Sequence, residues 1–175
     1  DMMSLHEAFG ALKGLKVGII GDISHSRVAR SDIFGLATMG AKVTLCGPPT
    51  LLPLNVEVLP AAVSYSIDEV IDWADAIIVL RLQLERMGQK LIPSVREYRS
   101  FFGITSERMK NHSKQLVIMH PGPMNRGIEI DSDVADGKQA IILNQVLNGV
   151  ASRMAILYLL LRQKRPEESE KSISE

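Results

Sequence analysis

Short apolar runs alternate along the chain with stretches whose apolar residues recur at the helical period. Lys16–Asp22 (KVGIIGD), Lys42–Cys46 (KVTLC), Ala76–Leu82 (AIIVLRL) and Leu116–Met119 (LVIM) read as buried strands, because continuous β-branched and aliphatic runs suit strands covered on both faces. A shorter strand is expected at Val63–Tyr65, and irregular chain with one helical turn over Leu51–Pro60. Between the strands, residues 1–10 form a helix with Met2, Leu5, Ala8 and Phe9 on one face. Ser24-His25-Ser26 caps a helix over Arg27–Met39, and Ser66 caps Ile67–Trp73 with Glu69 as the return partner of a capping box. Further helices are predicted at Ser94–Phe102 and Ser106–Asn111, with a turn at Asp131–Asp136. Gln139–Arg162 is the longest helix, carrying Ile142, Val146, Val150, Met154, Leu157 and Leu161 at helical spacing.

This alternation predicts an α/β fold: a doubly wound, mostly parallel sheet in a Rossmann-like three-layer α/β/α arrangement. Ligands of such sheets sit beyond the carboxyl ends of the strands. Polar clusters occupy three of those ends: Gly21–Arg30, Arg81–Arg86 and His120–Glu129.

Composition narrows the function. A chain of 175 residues can bury one core, and its 46% hydrophobic and 23% charged residues are ordinary for a globular protein. The formal net charge of zero argues against nucleic-acid binding through bulk charge. The single cysteine, Cys46, cannot form an internal disulfide or a cysteine-built metal site and reads as buried packing. No apolar run is long enough for a membrane helix and no leader is visible, so a cytoplasmic location is the expectation. The tail, Gln163–Glu175, is charged and serine-rich and is expected to be disordered.

The clusters differ in what they can do. Gly18 and Gly21 do not make a dinucleotide fingerprint, and the second strand ends in Cys46-Gly47-Pro48 without a ribose-holding acid. Arg27 and Arg30, in the first turn of a helix, are either solvated or placed for an anion that the free amides also attract. Arg81, after five apolar residues, must reach water or pair. It is either an ion pair with Asp22 or Glu85 or a planar fork for a substrate carboxylate, with Gln83 on the same face. In His120-Pro121-Gly122-Pro123 the prolines remove two backbone donors and stop the strand. His120 reads as a satisfied buried histidine and His25 as an exposed loop residue, while Arg126 and Glu129 are expected to pair and hold the turn. No metal-ligand spacing and no nucleophile triad is present, so the site is expected to position anions.

GDISHSRVARS (Gly21–Ser31), LRLQLER (Leu80–Arg86), HPGPMNRGIEI (His120–Ile130) and NQVLNGVASRMAIL (Asn144–Leu157), in this order and spacing, resemble the catalytic chain of the bacterial aspartate carbamoyltransferase family. The resemblance implies carbamoyl transfer from carbamoyl phosphate to the amine of L-aspartate in pyrimidine biosynthesis, without a metal or organic cofactor. It implies that Arg27 holds the α-carboxylate of aspartate and Arg81 the β-carboxylate, with Gln83 in support. The backbone of Gly122 and Pro123 would meet the carbamoyl group. His120, Arg126 and Glu129 would be structural support.

The family chain has two domains and trimerises largely through the first. This sequence resembles the second, with residues 1–13 as an interdomain helix and 14–138 as the aspartate-binding domain. Residues 139–162 would form a helix packing on the absent carbamoyl-phosphate domain, and 163–175 the tail. An opening in mid-helix is expected to mean that something upstream has been cut away. The family's Ser-Thr-Arg-Thr and His-Pro-Thr-Gln motifs are missing. Without them the chain is expected to be inactive alone. Other readings are an ornithine-type enzyme, disfavoured by the His-Pro-Gly-Pro turn, and a non-catalytic amino-acid-binding or assembly domain.

Overall fold

A computed structural model describes residues 1–83, 91–112 and 115–162. Five strands, β1 (Lys16–Ile20), β2 (Lys42–Cys46), β3 (Ala62–Ser64), β4 (Ala76–Val79) and β5 (Val117–Met119), form one sheet in the order β3-β2-β1-β4-β5. Every pairing is parallel, with Val17 opposite Val43 on one side and Ala76 on the other. The chain winds outward from β1 to β3 and then returns to β4, so its direction reverses between β1 and β4. A crevice opens at such a reversal, beyond the carboxyl ends of the two strands.

Alternation along the strands feeds two cores. Val17, Ile19, Leu45, Ile78 and Met119 pack under α1 (Met2–Phe9) and α2 (Arg27–Thr38). Ile20, Ile77, Val79 and Ile118 face the other way, against α3 (Ile67–Trp73), α6 (Ser132–Ala135) and the start of α7 (Ile142–Arg162). A third cluster, Leu51, Leu82, Ile92 and Tyr98, sits at the carboxyl end, where α4 (Val95–Phe102) supplies the tyrosine. The remaining helix, α5, spans Ser106–Lys110.

Several details depart from expectation; β1, expected to run to Asp22, stops at Ile20. β4 ends at Val79, three residues early. Leu80 N still donates to Ile20 O at 2.8 Å, but Gly21 then turns away with φ 121 and β4 loses its partner. The capping box at α3 is only half made: Ser66 Oγ accepts from Glu69 N, while Glu69 Oε2 and Ser66 N both bond to Ser64 Oγ. Ser64 Oγ thus takes the return role, accepting from Ser66 N in place of Glu69. α7 begins at Ile142, because residues 139–141 run beside β5 first, with Ile118 N donating to Gln139 O at 2.8 Å and Ile141 N to Ile118 O at 2.9 Å, as in a parallel ladder. Finally, α7 turns Ile142, Gln145 and Asn148 inward, leaving Val146, Val150, Met154, Leu157 and Leu161 exposed among the described residues. Residues 84–90, and 163–175 where the disordered tail is expected, lie outside the described residues.

Candidate functional site

β1 delivers its chain into the crevice through a tight glycine contact. A Cβ on Gly47 would stand 2.5 Å from Gly21 O, so β1 and β2 can end side by side only without one. Asp22 follows, wholly buried. Its Oδ1 accepts from His25 N at 3.2 Å and lies 2.8 Å from His25 Nδ1. His25 is therefore half-buried and tied down, not the exposed loop residue expected, because the buried carboxylate needs donors. Ser26 Oγ accepts from Ala29 N at 3.1 Å and starts α2, placing Arg27 in its first turn with its side chain exposed.

The β4 tail crosses beside this loop. Arg81 and Gln83 are half-buried on either side of the buried Leu82, following the alternation of an extended chain. Gln83 Nε2 donates to His25 O at 3.3 Å, joining the tail to the start of α2. On the other side Asn125 Nδ2 donates to Leu82 O at 3.0 Å, joining it to the turn after β5. Side-chain bonds thus link the three polar strand ends.

The turn is organised by His120, which is fully buried as expected. Gly122 N donates to His120 Nδ1 at 2.9 Å, with Gly122 at φ 61 and a cis bond to Pro123. Nδ1 therefore accepts, which assigns the ring proton to Nε2, 3.4 Å from Glu129 Oε1. The same Glu129 oxygen accepts from Asn125 N. Gly122 and Pro123 themselves are exposed, and a Cβ on Gly122 would meet nothing within 4 Å.

The expected Arg126–Glu129 pair is not formed. Arg126 grips Asp136 with both terminal nitrogens, at 2.7 and 2.8 Å, on the surface. Glu129 is buried beneath the turn, and a fork with an exposed carboxylate within reach need not be desolvated to follow it.

Tyr98 and Gln145 join the site without having been singled out from the sequence, and Asp22, named there only as a possible partner of Arg81, and Asn125, within the expected turn cluster, take fuller parts than expected. Tyr98 Oη lies 3.1 Å from where a Cβ on Gly21 would be. Burial pushes its hydroxyl pKa up, and the charges of Glu129 and Asp22 push it further. Asp22 Oδ2, Tyr98 Oη and Glu129 Oε2 have no hydrogen-bond partner among the described residues. The aspartate after a strand-ending glycine was the one legible signal. The others act only through tertiary contacts. No group of three or more His, Cys, Asp or Glu among the described residues is placed to hold a metal, and no described helix is long and apolar enough to cross a membrane.

Residues 13–160 match the family model for the aspartate/ornithine carbamoyltransferase Asp/Orn-binding domain. The chain belongs to that family. It is 55% identical to the aspartate carbamoyltransferase catalytic subunit of Gemmatimonas aurantiaca, over 91% of this chain and 50% of that protein. With the corresponding subunit of Pelotomaculum thermopropionicum identity is 58%, over 91% of this chain and 52% of the relative. The chain thus spans about half the length of the curated relatives it matches. The catalytic subunit of M. jannaschii aspartate transcarbamoylase superposes with a TM-score of 0.76 at 29% identity, covering 94% of this chain and 54% of that one. Ornithine carbamoyltransferase from Pyrococcus furiosus gives the same TM-score at 22% identity, over 90% and 53%, and shares the fold. The crevice between β1 and β4 is where ligands of a doubly wound sheet generally bind.

Proposed function

We propose that this chain is the aspartate-binding half of an aspartate carbamoyltransferase, which transfers the carbamoyl group of carbamoyl phosphate to L-aspartate. The observation that carries the reading is the bonding of the Arg81–Gln83 tail to both the start of α2, where Arg27 stands, and the proline turn. Two arginines on two strand ends suit a dicarboxylate. Arg27 would hold its α-carboxylate and Arg81 its β-carboxylate, with Gln83 beside them, so that the amine faces the carbonyl carbon. Attack forms the C–N bond, the C–O bond to phosphate breaks, phosphate leaves with the electron pair, and the amine gives up a proton. Gly122 and Pro123 would present backbone to the carbamoyl group. His120 and Glu129 support the turn from beneath, and Arg126 does so through Asp136. No metal or organic cofactor enters these steps.

The groups that would stabilise the departing phosphate belong to a carbamoyl-phosphate domain outside this sequence, so the chain alone does not turn over in this reading. That domain would cover the exposed stripe of α7, and the complete catalytic chains would assemble as a homotrimer. Titration calorimetry with L-aspartate and L-ornithine tests the substrate. Aspartate is expected to bind and ornithine not to bind. Ornithine binding without aspartate binding would favour the ornithine-type reading, which the family match and the shared fold also accommodate. Carbamoylaspartate formation by the chain alone would overturn the predicted inactivity.

A further inference from the structure

Beyond β5 the sheet has no sixth strand among the described residues, and its outer edge must still satisfy the donors of Ile118 and His120. The backbone of residues 139–141 serves the first, and then α7 begins. The second is served by a side chain. Gln145, 5% exposed, accepts from His120 N at 3.0 Å through Oε1 and donates through Nε2 to Asp1 Oδ1. One turn on, Asn148 donates to Ser4 Oγ at 3.1 Å and to Glu7 Oε2 at 2.6 Å, so the same face of α7 is fastened to α1.

From His120 the bonds continue into the turn. Gly122 N reaches His120 Nδ1, Glu129 sits at the opposite ring nitrogen and takes Asn125 N, and Asn125 reaches Leu82 O between Arg81 and Gln83. Buried amides on a helix otherwise free to use apolar residues need a reason, since a methionine would fill the same space without needing partners. We infer that Gln145 is a positioning residue: it sets the height of His120 at the sheet edge, and through His120 the place of Gly122, Asn125 and the Arg81–Gln83 tail. α7 and α1 are thereby coupled to the site. The inference that this coupling serves substrate binding rests on the crevice being the amino-acid site.

The test uses hydrogen exchange on this chain, read at individual amides. In Gln145→Met, protection at Gly122 and Asn125 is expected to fall about tenfold or more relative to the central amides of β1 and β2. The double substitution Asp1→Asn with Gln145→Glu keeps an acceptor for His120 N while exchanging donor and acceptor roles toward residue 1, and is expected to restore both amides. Its aspartate affinity should recover with them, whereas Gln145→Met should bind several-fold more weakly. Unchanged protection at Gly122 and Asn125 in Gln145→Met overturns the relay, as does a loss spread evenly over the sheet, which is mere destabilisation. The exchange readout needs no ligand. Failure there counts against the relay, while absence of aspartate binding by the unaltered chain counts against the substrate reading.

Discussion

Asp32 shows how far one residue can sit from its preferred surroundings. It is buried in α2 with Oδ2 unpartnered among the described residues, and burial pushes its pKa to about 6, against a smaller downward pull from the amino terminus. A carboxyl raised above its unfolded value of 3.8 contributes most below that value and loses its contribution as pH rises through about 6. The rise of about two units corresponds to about 3 kcal/mol at 1.36 kcal/mol per unit, as an order of magnitude. Asp32→Asn should therefore raise Tm by several degrees at about pH 8 and change it little near pH 4, by scanning calorimetry. An unchanged Tm at the higher pH would falsify this account. Asp131 has the opposite sign: its bond to Arg99, helped by Ser106 N, holds its carboxyl below the usual range. Its contribution is present above the unfolded value and disappears as pH falls through the lowered one. Cys46 has its thiol pushed up to about 12 by burial, so a thiol reagent should label it only after denaturation. At Arg81, Arg81→Ala in a complete catalytic chain is expected to raise the aspartate KM and lower kcat. An unaltered KM would remove its assigned role.

At the scale of elements, Gly18 is where a helix closes onto the sheet. A Cβ there would fall 2.6 Å from Val70 Cγ1 and 3.3 Å from Ile77 Cγ2, so α3 rests directly on β1. Gly18→Ala should destabilise by about 1–3 kcal/mol, measured by denaturant unfolding, because the helix has to lift from a packed sheet. Strand and helix bounds were largely legible, since apolar runs and cap residues act locally: β2 and α3 fall where the pattern put them, and Ser26, Ser66 and Ser94 all cap. The misses have nonlocal causes. β4 stops where its neighbour turns at Gly21, and α7 starts late because residues 139–141 first serve the edge of β5.

For the whole molecule, the outstanding feature is the apolar stripe of α7, on which Leu157 is 54% and Leu161 69% exposed. Scattered exposed apolar residues are ordinary, but a continuous stripe of this kind marks a docking face. Because nothing in the described chain covers it, Leu157→Glu and Leu161→Glu should alter Tm little in this chain. They should also reduce binding of an apolar dye such as ANS. A marked loss of stability would mean that the stripe is already buried. The same helix turns two amides, Gln145 and Asn148, inward beside Ile142 while most of its apolar residues stay exposed, unlike an ordinary surface helix.

What the sequence determined by itself were the parts governed by near neighbours along the chain. The parallel α/β alternation, the caps, the strand-ending polar clusters and the family motifs needed nothing beyond their own residues. Tertiary structure decided the partners. Arg126 went to Asp136 and Glu129 to His120, because one lies at the surface and the other beneath the turn, a difference that sequence spacing does not encode. The same holds for Gln145: its amide acquired a role only when the edge of β5 left His120 N without a strand to pair with. A buried donor takes whichever acceptor the fold brings within reach, and that choice is made in three dimensions.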